Sequence, residues 1–256
     1  DLGVILFSYN LYYEKPISSL DRIEKIFSKY GLVKGNKPDV IFAIGGDGTF
    51  LRAAANFRSK LIMPIKTEES IAKLIRYGIN DLPKVLDKIV KGKYKIVDEP
   101  LIKCIVNKNS FYSVGDFYFQ RGRENLALRY KIKIKNKKNV IDIKGSGDGF
   151  IVATPMGSTG YFSYVERLLK KRVKRINSFV FEHILPYHIE ERINGNKRDA
   201  RLRIRLDKGF VLEAYPERNL DQCIYSSSFV GRCIKISQGE KFIIMDAKEK
   251  VSIIDI

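Results

Sequence analysis

Tryptophan is absent from this chain of 256 residues, histidine occurs twice and cysteine three times. Each scarcity removes a class of chemistry. His183 and His188 are too few for a zinc cluster and read as surface or hydrogen-bonded residues. Cys104, Cys223 and Cys233 are far apart, odd in number and without Cys-x-x-Cys spacing, so metal and redox motifs are excluded and buried free thiols are expected. Long apolar runs are missing as well: the longest are of strand length, broken by Lys, Arg or Asp, far short of the roughly 20 residues of a membrane span. No signal peptide is visible at the start, and a cytoplasmic location without membrane attachment is expected. No repeat or low-complexity tract occurs.

With 45% hydrophobic residues the chain can bury real cores, as one large domain or two modest ones. Forty-seven Lys and Arg against 29 Asp and Glu leave a formal charge of +18. The basic residues are dispersed, apart from a denser run at Lys170, Lys171, Arg172, Lys174 and Arg175, and no RNP, zinc-finger or basic-zipper signature accompanies them. A general field that draws in nucleotides fits as well as DNA binding does, and a nucleic-acid module is the least supported function. Abundant Lys, Ile and Glu without Trp point toward a thermophilic source.

Two rhythms divide the chain. From residue 2 to about 94, strand and helix patterns alternate. A strand at 4–7 leads to a helix with Ser18 or Ser19 as N-cap, Leu20, Ile23, Ile26, Phe27 and Tyr30 on one face, and Gly31 at its end. A buried strand before Gly45, an alanine-rich helix, a strand at 61–65 and helices at 70–77 and 82–90 follow, with Pro83 in a tolerated first-turn position. This alternation predicts a Rossmann-like parallel sheet with flanking helices over residues 1–96. Residues 97–256 read as a β-rich sandwich domain whose last residues return to the first. Strands at 102–106 and 111–119 flank a hairpin turn at 107–110, and residues 129–135 and 201–206 alternate basic with apolar positions, predicting one wet and one buried face. Further strands are expected at 210–214, 224–230, 241–245 and 251–254. The fold class is α/β plus all-β.

The turn Gly45-Gly46-Asp47-Gly48-Thr49 stands between a buried strand and a helix. Glycines there let main-chain N–H groups approach phosphate oxygens, and the helix N-terminus points at the same place. A carboxylate inside such a cradle would repel phosphate unless it served a purpose, either ligating Mg²⁺ or taking a proton from an attacking hydroxyl. A second stretch, Gly147-Asp148-Gly149-Phe150-Ile151-Val152-Ala153-Thr154-Pro155-Met156-Gly157-Ser158-Thr159-Gly160-Tyr161, begins as a strand and ends in a turn crowded with Gly, Ser and Thr.

Together the two stretches resemble the NAD kinase family, of an archaeal or thermophilic type, across nearly the whole chain. Gly-Gly-Asp-Gly alone is shared with lipid and sugar kinases; the longer second motif is specific. The resemblance implies phosphoryl transfer from ATP or polyphosphate to the 2′-hydroxyl of the adenosine ribose of NAD, giving NADP, with Mg²⁺ or another divalent cation accompanying ATP. It also implies a homo-oligomer, dimer or tetramer. It assigns Asp47 as the catalytic carboxylate, Gly45, Gly46, Gly48 and Thr49 to phosphate, and Asp116, Asp148, Ser158, Thr159, Gly160 and Tyr161 to NAD. Both motifs are expected to serve one dinucleotide.

Three positions depart from the pattern. Gly115 stands where the family has Asn before the acidic residue, here Asp116, which removes one polar contact. The family's glycine-rich loop ending in Gly-Phe-Leu is missing after Ile65, and its Gly-Gly pair beyond Tyr161 is replaced by Tyr164-Val165-Glu166-Arg167-Leu168. Two mobile loops missing from the sequence, or a member with reduced turnover, would explain the last two; the first explanation is favoured. The competing functions are a noncatalytic NAD(P)-binding homologue and a lipid or sugar kinase sharing the Gly-Gly-Asp-Gly turn.

Overall fold

A computed structural model describes residues 7–122, 126–168, 175–229 and 233–256. The chain divides into two compact units, Asp1–Glu99 with Lys250–Ile256, and Pro100–Glu249. The division falls within the strand Lys95–Val106.

The first unit contains β1 (Ser8–Tyr12), α1 (Leu20–Lys29), β2 (Val33–Lys34), β3 (Val40–Gly45), α2 (Asp47–Asn56), β4 (Leu61–Lys66) and α3 (Leu82–Val90). Residues 4–6 of the strand expected at 4–7 lie outside the described residues. The sheet is parallel in the order β2-β1-β3-β4, and Ser252 and Ile253 add a parallel edge against Leu61 and Ile62. Every side chain from Val40 to Ile44 is buried, as a central parallel strand covered on both faces requires. Ile23 and Phe27 anchor α1, and Leu82, Val85, Leu86 and Ile89 anchor α3. Gly31, at φ +70°, ends α1 in the left-handed conformation that glycine adopts without strain. Phe27 stacks on Tyr9 at 4.2 Å and meets Phe42 edge-on at 4.7 Å.

The helix expected at 70–77 is not formed. Residues 67–78 run irregularly from β4 and return to it, where Lys66 N–H donates to Tyr77 O at 2.9 Å. Ile71, Leu74 and Ile75 have helical spacing, but of the three only Ile75 is buried and Ile71 is 94% exposed, so they do not bury the continuous apolar face that would stabilise a helix.

The second unit contains β5 (Lys95–Val106, from Pro100 on), β6 (Asn109–Ser113), β7 (Asp116–Arg121), β8 (Leu128–Asn136), β9 (Asn139–Ala153), α4 (Tyr161–Leu168), β10 (Phe179–Ile193), β11 (Asn196–Arg198), β12 (Arg203–Leu206), β13 (Val211–Pro216), β14 (Gln222–Tyr225), β15 (Ile234–Lys235) and most of β16 (Phe242–Asp255). One core draws on β5, β7, β8, β9, β10, β12, β13, β14 and β16. Along β8, Leu128, Tyr130, Ile132 and Ile134 are buried while Arg129, Lys131, Lys133 and Lys135 are exposed, so its basic stripe is a solvated face. Lys170, Lys171, Arg172 and Lys174 lie outside the described residues.

The long strand β9 changes partner at the Gly147-Asp148-Gly149 corner. Its first part pairs with β8 as far as Gly147 and its last part with β7 from Gly149, while β10 follows its other edge. A Cβ on Gly149 would lie 1.9 Å from Phe119 O, and one on Gly147 would lie 2.7 Å from Leu185 O. These glycines are where three strands crowd together.

Several boundaries differ from the sequence pattern. The hairpin turn is the pair Asn107-Lys108, with φ of 47° and 68°, and the strand expected at 111–119 is split into β6 and β7. The strand expected at 224–230 ends at Tyr225, and Val230 lies outside the described residues. The strands expected at 241–245 and 251–254 are one strand, because Asp246 holds its polar middle by accepting N–H groups from Gly209 at 2.7 Å and Lys248 at 2.9 Å. Only Cys104 is a buried free thiol. Cys223 and Cys233, expected to be free, form a disulfide with Cα atoms 5.5 Å apart, brought together by the antiparallel pairing of β14 with β15. His183 is buried with Nδ1 2.7 Å from the Tyr130 hydroxyl, and His188 is exposed beside Glu190. Among the described residues, no helix is long and apolar enough to cross a membrane.

Candidate nucleotide site

The buried strand β3 delivers Gly45 to the edge of its sheet, Gly46 caps the next helix, and Asp47 opens α2. Phe50 N–H closes the first helical bond to Gly46 O at 3.1 Å. The amides ahead of it belong to the first turn, where intrahelical acceptors do not exist and the helix dipole is positive. Space explains two glycines. A Cβ on Gly45 would stand 2.5 Å from Thr49 Oγ1, and one on Gly48 would stand 2.9 Å from the Arg52 guanidinium. Gly45, Gly46, Asp47, Gly48 and Thr49 therefore form one compact turn.

Glu14 and Arg52 also belong to this turn, and sequence reading missed both. Arg52 holds the Glu14 carboxylate with a two-pronged ion pair, and Thr49 Oγ1 donates to Glu14 at 3.3 Å. Burial acts to raise the Glu14 carboxyl, but the hydrogen bonds and charge of Arg52 outweigh it, and the group titrates below the ordinary carboxylate range. Arg52 lies one helical turn after Gly48, a spacing that could have suggested it. Glu14, in the loop after β1, carries no local signal.

Both oxygens of Asp47 are engaged. Lys73 N–H donates to Oδ2 and Leu74 N–H to Oδ1, each at 2.9 Å. These bonds fix the carboxylate plane, and each oxygen keeps a lone pair for another donor. The irregular segment after β4 thus lies over the glycine turn; a Cβ on Gly46 would meet Ser70 Oγ at 3.1 Å.

In the second unit, hydroxyls build the turn that precedes α4. Thr154 bonds Val114 O through its hydroxyl and Gly115 O through its N–H, and its Oγ1 accepts Gly157 N–H at 3.0 Å. Ser158 Oγ donates to Pro155 O at 2.7 Å and accepts from Ile176 N at 2.9 Å, while Thr159 Oγ1 donates to Met156 O at 2.8 Å. The hydroxyl protons of Ser158 and Thr159, expected to face a ligand, are committed to the turn. Gly160 stays open, and Tyr161 lies with its ring 4.7 Å from that of Tyr118.

Asp116 was expected to accept from ribose hydroxyls, yet it is 1% exposed. Burial raises its carboxyl to about 6, against the pull of the Ser227 N–H, which it accepts at 3.2 Å. The place of the missing Asn side chain is filled, since a Cβ on Gly115 would meet Ser227 Oγ at 2.3 Å. A serine network replaces it: Ser226 Oγ donates to Asp116 O at 2.6 Å, and Ser228 Oγ donates to Ser113 Oγ at 2.9 Å. Asp148 pairs with Arg121 at 3.1 Å at the β9 corner.

No protein-family model matches the chain. It is similar to an NAD kinase of Clostridium beijerinckii, 31% identical over 151 residues that make up 56% of this chain and 52% of the relative. An NAD kinase of Clostridium botulinum is 31% identical over 129 residues, 48% of this chain and 44% of the relative. The matched stretch thus spans about half the length of these curated relatives. Among solved structures, yeast NADH kinase complexed with NADH aligns with a TM-score of 0.75 at 13% identity, covering 100% of this chain and 84% of that one. An NAD kinase from Archaeoglobus fulgidus in complex with ATP aligns with a TM-score of 0.71 at 17% identity, covering 96% and 92%. At these identities the structural likeness establishes the fold.

Proposed function

We propose, from its likeness in sequence and fold to the NAD kinases, that this chain transfers the terminal phosphoryl group of ATP, or of polyphosphate, to the 2′-hydroxyl of the adenosine ribose of NAD, producing NADP. The observation that carries this is Asp47 at the first turn of α2, a carboxylate set among main-chain amides that suit phosphate. The ribose oxygen forms a bond to the terminal phosphorus, the bond from that phosphorus to the bridging oxygen breaks, and the hydroxyl proton passes to Asp47. General-base help of this kind is worth about 10² to 10⁴ in rate. Positioning and charge neutralisation supply the rest.

In this proposal Gly45, Gly46, Gly48 and Thr49 form the phosphate cradle, with the Arg52 guanidinium behind Gly48 tied to Glu14 and bracing the turn. The dinucleotide is held in the β-rich unit by the Ser158, Thr159, Gly160 and Tyr161 turn. Asp116 and Asp148 serve the same dinucleotide in this proposal, Asp148 from its pair with Arg121.

Among the described residues, no group of three or more His, Cys, Asp or Glu could hold a metal. That suits Mg²⁺ carried on the donor's phosphates with one or two carboxylates, Asp47 being the one within the cradle. The cation would offset charge on the transferred group. A cytoplasmic homo-oligomer, dimer or tetramer, completes the proposal.

Incubation with NAD, ATP and Mg²⁺, followed by assay for NADP, tests it. NADP should form with the parent and fall sharply with Asp47→Asn. Dinucleotide binding without NADP would select a noncatalytic homologue, and phosphorylation of a lipid or sugar instead would select the other kinase class.

A further inference from the structure

We propose that Tyr118 and Tyr225 extend Tyr161 into a stacking platform for one planar heteroaromatic ring of the dinucleotide and so set the chain's affinity for that ring. This rests on the function proposed above and adds two residues to it. Side chains alternate along β7: Phe117 and Phe119 enter the main core, leaving Asp116, Tyr118 and Gln120 on the other face. Tyr225 stands directly opposite Tyr118 in the antiparallel pairing of β14 with β7. Their rings lie 5.3 Å apart and only 12° from parallel, and the Tyr161 ring reaches Tyr118 from the start of α4 at 4.7 Å. Tyr118 is therefore stacked against Tyr225 and met at a tilt by Tyr161, so that the three rings form one aromatic cluster on which a ligand ring can stack.

Farther along the same face, α4 covers the sheet, with Phe162 and Val165 packed on Ile151, Ala153 and Val180. The tyrosines are only partly buried. A cross-strand aromatic pair also stabilises a sheet, and Phe would serve that purpose without placing hydroxyls there. Burial pushes the Tyr118 hydroxyl up to about 12 and raises that of Tyr161, so both rings stay neutral beside a phosphorylated ligand. The platform adjoins Asp116 and the turn that carries Ser158, Thr159 and Gly160, residues that the family resemblance assigns to the dinucleotide. Gly115 offers no side-chain amide there, and stacking, which needs only a π-face, supplies affinity that the missing polar contact would have given.

The two sources of such a ring are adenine and nicotinamide. Binding of AMP, nicotinamide mononucleotide and NAD to the full chain is measured by calorimetry for the parent, Tyr118→Leu, Tyr225→Leu and the corresponding Phe variants, alongside steady-state NADP formation. The Leu variants should bind NAD and one mononucleotide roughly tenfold or more weakly, with KM for NAD raised and kcat little changed. The mononucleotide that loses affinity identifies the ring. The Phe variants, which keep the π-face, should recover most of the binding. Leu variants that are folded by circular dichroism and bind all three ligands as the parent does overturn the platform, as does a parent with no affinity for any of them. Leu-sensitive binding without NADP formation overturns the kinase proposal alone and leaves the platform standing.

Discussion

Leu74 donates its main-chain N–H to one oxygen of Asp47 at 2.9 Å, and the neighbouring Lys73 serves the other oxygen at the same distance. The carboxylate and the irregular segment after β4 position each other. Asp47→Asn removes the proton acceptor and turns an amide NH₂ toward one of these N–H groups. NADP formation should fall about 10² to 10⁴-fold, chiefly in kcat, and limited proteolysis within residues 67–77 should quicken. Activity within about twofold of the parent, less than the smallest effect of losing a base, would remove Asp47 from that role.

The turn before α4 depends on Gly157 approaching backbone, whereas Gly115 approaches only a side chain. A Cβ on Gly157 would lie 2.0 Å from Gly115 O, and one on Gly115 would lie 2.3 Å from Ser227 Oγ. Gly157→Ala should cost about 1–3 kcal/mol or more, as overpacking does. Gly115→Ala should cost less, because Ser227 can rotate. Restoring the family residue with Gly115→Asn should destabilise alone and recover when combined with Ser227→Gly. Thermal unfolding of the four variants decides the order, and equal losses for both alanine variants would contradict it.

Two buried groups bend the stability curve in opposite directions with pH. Burial pushes His183 from 6.5 down to about 4, so as pH falls through this window the unfolded chain gains a proton that the folded chain refuses. Stability present above pH 6.5 is thereby lost on acidification, by roughly 3 kcal/mol at most. Asp116, raised by burial from 3.8 to about 6, gives a contribution complete below 3.8 and lost as pH rises through 6. His183→Phe should therefore leave a chain that gains stability on acidification from pH 7 to 4.5, and Asp116→Asn one that loses it. Urea unfolding at the two pH values measures both slopes.

Thiol titration checks the cysteine pairing. Denatured without reductant, the chain should expose one reactive thiol, Cys104, and after reduction three. In the native chain Cys104 should react slowly, since burial raises its thiol to about 12 and little thiolate forms. Three thiols without reductant would restore the expectation of free cysteines.

Features whose cause is local could be seen in the sequence. The apolar run of β3, the Gly31 stop after α1, the span of α3 and the basic-apolar alternation of β8 each follow from periodicity or one special residue. The segment after β4 could not be seen, because the amides of Lys73 and Leu74 are claimed by a carboxylate 26 and 27 residues earlier. For the same reason Glu14 escaped notice: its partner Arg52 is 38 positions away. Turn residues such as Ser158 and Thr159 looked like ligand donors, since a sequence does not record that their protons go to Pro155 O and Met156 O. Cys223 and Cys233 were misjudged because spacing alone does not reveal that β14 and β15 are paired.

The residues Ser252 and Ile253 complete the parallel sheet of the first unit, and Ile254 fills a place in its core. A fragment cut at Glu99 would hold α1, α2 and α3 yet present β4 as a bare edge above an unfilled hole. Such an edge invites pairing with another chain, so dissecting this protein into autonomous pieces calls for grafting its last seven residues, Lys250–Ile256, onto the first piece.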